Sequence, residues 1–214
     1  MTQNQDLHKS LEMFTNRHEE LLQKINILEQ ENNDYKKRVC VLEHKLNHLE
    51  RNASTTTIEI RNLFKQSNEN KEALTHIIQK LGSTLGLETS IQESEIRNIY
   101  RFRSETLVVD FTTSLREESI ISKYKIYNKA KREGREPQLN SNHINLPGPS
   151  RPIYISEYLT SKVRRLFYLA RENVKNRKLV AAWTTHGKVY VKKEEGAAPI
   201  RIEEENDLQK FKPR

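Results

Sequence analysis

Between residues 7 and 49 the chain places seam residues at spacings that alternate between four and three: Leu7, Leu11, Phe14, His18, Leu21, Ile25, Leu28, Asn32, Tyr35, Val39, Leu42, Leu46 and Leu49. A stripe that returns every ~3.5 residues predicts a helix whose apolar side another helix must cover. Leu11, His18, Ile25, Asn32, Val39 and Leu46 take the a positions, and Leu7, Phe14, Leu21, Leu28, Tyr35, Leu42 and Leu49 the d positions. In a parallel, in-register assembly each g residue meets the e residue of the next heptad on a neighbouring chain. Those pairs are Lys24 with Glu29, Glu31 with Lys36, Arg38 with Glu43, and Lys45 with Glu50, and all four attract. A parallel homo-oligomer is the expectation.

Two signals bear on strand number. Asn32 at an a position is a device that fixes dimers. Arg38-Val39-Cys40-Val41-Leu42-Glu43 is similar to the Arg-h-x-x-h-Glu trimerisation motif of short coiled coils, where h is apolar. The reading favours a trimer over a dimer. Either state clusters whatever follows the helix, and tethered weak sites gain avidity without new contacts.

With about fifty residues spent on the coiled coil, a chain of 214 leaves room for one medium domain or two small ones. The single cysteine, Cys40, falls at an outward b position and excludes an intrachain disulfide scaffold. No segment reads as a signal peptide or membrane span, so Asn52-Ala53-Ser54 is not expected to be glycosylated, and cytoplasm or nucleus is the expected location. The net charge of +8 sits behind the coiled coil: residues 123–151 hold seven basic and two acidic residues, and residues 162–193 hold ten and one. Charge so concentrated points to a polyanion, with nucleic acid ahead of a membrane surface because no amphipathic or lipidation signal accompanies it.

The expected fold class is α+β: a parallel coiled coil over 1–52, a ferredoxin-like, RNA-recognition-type module (βαββαβ) over 55–155, and a small basic helix-plus-hairpin domain over 156–214. Residues 57–61 alternate as a strand. A helix over 69–87 carries Leu74, Ile77, Ile78, Leu81 and Leu85 on one side and loosens at Gly82 and Gly86. Strands follow at 96–102 and 106–111, joined by a polar turn at Arg103-Ser104-Glu105. Ser114-Leu115-Arg116-Glu117 has capping-box spacing and opens a helix through Ile120, Ile121, Tyr124 and Ala130. Residues 131–151, rich in Gly, Pro, Asn and charge, read as the end of a long basic loop over 123–151, before a strand at 152–155. The third strand, Thr106-Leu107-Val108-Val109-Asp110-Phe111, lacks the basic-Gly-aromatic-small-aromatic pattern of an ordinary RNA-recognition platform. Tyr100 and Phe102 share one face of the strand before it.

The sharpest local signal outside the heptads begins at Thr160, an N-cap candidate. Val163, Leu166, Phe167, Ala170 and Val174 form one apolar helix face, and Arg164, Tyr168, Arg171 and Lys175 share an adjacent face. Arginines grip phosphates bidentately and a tyrosine between them offers a stacking surface, the combination used for single strands. Two strands at 179–184 and 188–192 follow, with a turn at His186-Gly187 where positive φ is needed. Lys188, Tyr190 and Lys192 alternate onto one face of the second strand and would continue the basic, aromatic surface. Trp183 reads as the core anchor of a small domain, with that surface as its other possible place. Ile200-Arg201-Ile202 adds a third strand, and residues 203–210 an acidic turn or short helix.

Leu146-Pro147-Gly148-Pro149-Ser150-Arg151-Pro152-Ile153-Tyr154-Ile155-Ser156-Glu157-Tyr158-Leu159-Thr160, then Arg165-Leu166-Phe167, Ala170-Arg171, Trp183 and Gly187-Lys188-Val189-Tyr190-Val191-Lys192-Lys193, resemble the baculovirus few-polyhedra (FP) protein family. The pattern is also similar to FP-like proteins of insect mobile elements, and through them to the first-open-reading-frame proteins of LINE-type retrotransposons. The resemblance spans about residues 55–210. The retrotransposon family implies a trimeric coiled coil, a recognition-type module and a basic C-terminal domain that binds single-stranded nucleic acid as a chaperone. The FP family implies roles in virion structure, envelope-protein transport and occlusion. Arg164 or Arg165, with Arg171, would sit on the family's basic C-terminal helix.

The first functional expectation is a non-enzymatic homo-oligomer that binds single-stranded RNA or DNA through Arg164, Arg165, Tyr168, Arg171, Lys175, Lys188, Tyr190 and Lys192. The alternative is a viral structural or trafficking adaptor whose basic face docks acidic protein tails or an inner membrane surface, with viral envelope or capsid proteins as partners. No Gly-rich phosphate loop, Cys/His metal spacing or nucleophile motif occurs, and no cofactor is implied. His44 and His48 have i, i+4 spacing but no third ligand nearby, so no metal site is assigned. Lys129-Ala130-Lys131-Arg132 has the make-up of a nuclear-import signal.

Overall fold

The computed structural model describes residues 2–66, 69–102 and 105–211, so Arg103 and Ser104 of the expected polar turn lie outside the described residues. The chain divides into two compact units, residues 1–48 and 49–214. Helix α1 (Thr2–Ser54) supplies all of the first. Its seam residues Leu11, Leu21, Ile25, Leu28, Val39, Leu42 and Leu46 are 49% to 63% exposed, so within one chain the stripe has no cover. Asn32, Arg38 and Glu43 are exposed beside it, as is Cys40. The helix runs two residues past the expected end of the coiled coil at residue 52, and polar side chains near its end bond backwards into it. Asn47 Nδ2 and Ser54 Oγ each donate to the carbonyl one turn earlier, at Glu43 and Glu50, at 2.7 Å.

In the second unit, the elements β1 (Thr57–Arg61), α2 (Lys71–Thr84), β2 (Ile96–Arg101), β3 (Thr106–Phe111), α3 (Ser114–Glu133) and β4 (Tyr154–Glu157) follow in βαββαβ order. The strands lie as β2-β3-β1-β4 with every neighbouring pair antiparallel. Ile58, Ile60, Leu107, Val109, Phe111 and Ile155 turn to one face and meet Leu74, Ile77, Ile78 and Leu81 of α2 and Ile120 and Ile121 of α3. Asn70 caps α2, its side chain accepting from Ala73 N–H at 2.8 Å. Gly86, at φ +69°, ends it, with its own N–H on Ser83 O and that of Leu87 on Gly82 O, both at 3.1 Å.

Two expectations change here. The Ser114 capping box does not form: Thr113 is the N-cap, and Glu117 is buried. Residues 131–151 are also not a free loop. Helix α3 continues through Glu133, Leu139 N–H donates to Asn128 Oδ1 at 2.9 Å, and Leu139, Ile144 and Ile153 enter the core.

Burial and the negative charges of Glu157 and Glu118 push the Glu117 carboxyl up to about 8. The folded chain keeps a proton that the unfolded chain releases in the ordinary carboxylate range, so this site lowers stability as pH rises from about 4.5 through 8. Glu117→Gln is expected to leave the urea midpoint unchanged near pH 4.5. It is expected to stabilise the chain above pH 8, on the order of 2–4 kcal/mol.

The second core of this unit belongs to α4 (Ser161–Lys175), β5 (Ala181–Thr185), β6 (Lys188–Lys192), β7 (Ile200–Ile202) and α5 (Glu205–Gln209). Val163, Leu166 and Ala170 of α4 pack on Val189 and Val191 of β6, with Leu179, Ile202 and Leu208. His186 and Gly187, at φ +51° and +64°, make the two-residue turn of the β5–β6 hairpin. Trp183 is not the anchor of this core; it stands half-buried outside it.

Candidate nucleic-acid interface

Helix α4 begins where the Thr160 hydroxyl accepts from Val163 N–H, and this start fixes the rotation of every side chain behind it. With Val163, Leu166 and Ala170 turned inward, Arg164, Tyr168, Arg171 and Lys175 line a groove of about 820 Å³. Its other walls are Glu59 and Arg61 of β1, Ser156 and Glu157 of β4, and Ala181, Ala182 and Thr184 of β5. Thus the helix stripe read from sequence is one surface. Tyr168 is 63% exposed, and Arg171 and Lys175 are exposed beside it.

The four residues do not play one part. Arg164 Nη2 donates to Glu59 Oε2 at 3.1 Å, and its guanidinium lies 5.8 Å from the centre of the Tyr158 ring. The Glu59 side chain is only 10% exposed, so Arg164 is committed to neutralising it. Arg171 instead lies over the Phe167 ring at 5.9 Å. Among the described residues, neither Arg171 nor Lys175 forms a salt bridge. These two cations, with Tyr168, can meet an anion in a groove that Glu59, Glu157 and Glu172 also line.

The other candidates lie elsewhere. Arg165 points toward α5 and bonds Glu205, which holds the Glu205 carboxyl below its ordinary value. Lys188, Tyr190 and Lys192 alternate with the buried Val189 and Val191, and therefore face away from α4 on the far side of the three-stranded sheet. They do not continue the groove. Trp183 stacks against Tyr190 there, with ring centres 6.1 Å apart and planes at 19°.

Sequence reasoning misses Glu59 and Arg61 as groove walls. Alternation in β1 puts both on the face opposite Ile58 and Ile60, but nothing local says that α4 will lie beside that face. The same face carries Asp110, whose Oδ1 accepts from the Thr56 hydroxyl at 2.6 Å and whose Oδ2 accepts from Arg97 at 3.2 Å. Tyr100 and Phe102 are 40% and 39% exposed. Glu59 is shared by this sheet face and the groove, and on the sheet face it stands with Asp110. Among the described residues, no group of three or more His, Cys, Asp or Glu side chains comes together as a metal site. No helix among them is long and apolar enough to cross a membrane.

No curated protein matches the chain. Among solved structures, the C-terminal domain of the S. pombe telomerase accessory protein Pof8 is similar at 16% identity and a TM-score of 0.34, covering 56% of this chain and 97% of that one. The quoted residues that carry the sequence resemblance, from Leu146 onward, have a counterpart in the segment that builds α4, the three-stranded sheet and α5: residues 160–212 match the family model described as baculovirus FP protein domain 2.

Proposed function

We propose that this chain is a non-enzymatic homo-oligomer, trimeric through α1, that holds single-stranded RNA or DNA in the α4 groove and acts as a chaperone. One observation carries the reading: Arg171 and Lys175 stand exposed with Tyr168 in one groove, without a carboxylate partner among the described residues. Cations with a ring beside them suit a flexible strand whose phosphates and bases are both accessible. The βαββαβ unit serves as an RNA-recognition-type scaffold that presents the groove rather than as the platform. A second reading draws on the match of residues 160–212 to an FP protein domain. There the chain is a structural or trafficking adaptor in the cytoplasm or nucleus, with viral envelope or capsid proteins as partners.

Titration of labelled single-stranded RNA and DNA with the full chain, across about 50 to 500 mM salt, separates the two. Log affinity is expected to fall linearly with log salt, by about 0.7 for each phosphate contact, with little sequence preference. Absent or salt-insensitive binding would leave the adaptor as the better account.

A further inference from the structure

We infer that the outer face of the β5-β6-β7 sheet is a second single-strand site, in which unpaired bases stack on Trp183 and Tyr190 while Lys188, Lys192 and Arg201 hold the phosphates. The inference rests on the reading that this chain binds nucleic acid, but not on the groove. Strand register assembles the face. Trp183 on β5, Tyr190 on β6 and Arg201 on β7 stand directly opposite one another, in one row across the sheet. Lys188 and Lys192 lie two residues to either side of Tyr190, each about 7 Å along the strand, on the same face by alternation.

Three observations point to a ligand rather than to packing. The opposite face of the same sheet, through Val189 and Val191, already completes the core with α4, so the two rings are not needed to fill it. The two largest side chains of this sheet stack on each other outside either core, each half-buried. Third, three cations stand around them against one carboxylate, Glu203. Lys188 and Lys192 form no salt bridge among the described residues, and the pair between Arg201 and Glu203, at 2.8 Å, is a surface pair that phosphate can displace. Adjacent rings ringed by cations match a strand with splayed bases, because stacking accepts any base while the charges track the backbone. Each chain then has two sites, the groove beside α4 and the outer face of the small sheet, which lets it hold two strands at once, as annealing requires.

Trp183 is the sole tryptophan of the chain, so its fluorescence reports on this face alone. The full chain is titrated with a fluorescently labelled oligouridylate of about six nucleotides, following both label anisotropy and tryptophan emission. Stacking is expected to quench Trp183 as the oligonucleotide saturates. Tyr190→Ala and Lys192→Ala should each weaken the quenching-derived affinity about 5-fold or more, while Tyr190→Phe, which keeps the ring, stays within about 2-fold. Arg171→Ala with Lys175→Ala should reduce the anisotropy signal and leave the quenching curve in place. Binding seen by anisotropy with unchanged Trp183 emission overturns the second site and keeps the groove. Quenching that survives while the groove substitutions alter neither signal retires the groove and keeps the second site. Quenching lost in step with the groove substitutions, or no response in either signal, overturns this proposal.

Discussion

Removal of residues 1–48 is expected to convert the chain to a monomer and to weaken its binding to a long single strand by about 10²- to 10⁴-fold, while binding to a strand too short to bridge two subunits stays nearly constant. The first effect follows from the heptads. Every aliphatic seam residue from Leu7 to Leu49 is about half exposed or more in one chain, an apolar stripe that an isolated helix in water cannot sustain without a partner. The second effect is a matter of local concentration. Once one groove holds a strand, the groove of a tethered neighbour meets the next segment at an effective concentration fixed by the tether, not by the solution. Sedimentation of both chains, and titrations with a short and a long oligonucleotide, check the two effects separately. Equal loss with both lengths would mean that α1 contributes contacts of its own.

Arg171→Ala combined with Lys175→Ala is expected to lower single-strand affinity by about 10- to 100-fold per groove and to flatten the salt dependence by about 1.4, two phosphate contacts at about 0.7 each. Stability should change by less than about 1 kcal/mol, because both side chains are exposed, neither forms a salt bridge among the described residues, and Arg171 gives up only its contact with the Phe167 ring. Arg164→Ala would look similar in a binding assay and differ in cause. It strips the nearly buried Glu59 carboxylate of its closest cation, leaving Arg61 Nε at 4.0 Å. Stability then falls by about 1–3 kcal/mol, and any lost affinity includes the exposed negative charge. Urea unfolding alongside the salt series tells these apart: the double substitution moves its midpoint less than Arg164→Ala does. An unchanged salt slope in the double variant would remove the groove from the binding account.

The readable parts of this fold are those that a few neighbouring residues decide. Helices α1, α2 and α4 announce themselves through 3.5- or 3.6-residue periodicity, and the hairpin through His186-Gly187, because both signals are local. The basic helix stripe was legible for the same reason, down to the four residues that share the groove. What stayed hidden depends on contacts between distant segments. Arg164 and Glu59 are 105 residues apart, and no spacing rule links them. Leu139 and Ile144 show no period, so the segment around them resembles a loop until the core it fills is seen. Glu117 fits a cap by spacing, yet its burial beside Glu157 assigns it elsewhere. Trp183 illustrates the reverse failure: size argues for a core, and the valines opposite it already supply one.

The turn at Gly187 has a further consequence for how the second unit comes apart. Its N–H donates to Glu157 Oε2 at 2.7 Å, and a Cβ at that position would lie 3.0 Å from Arg51 Cγ. Glu157 closes the four-stranded sheet, whereas Gly187 is the tip of the three-stranded one. Together with the bond between Arg164 and Glu59, this contact ties the two hydrophobic cores at two points. The C-terminal sheet is therefore expected to melt together with the four-stranded one, and loosening either carboxylate is expected to separate the two transitions.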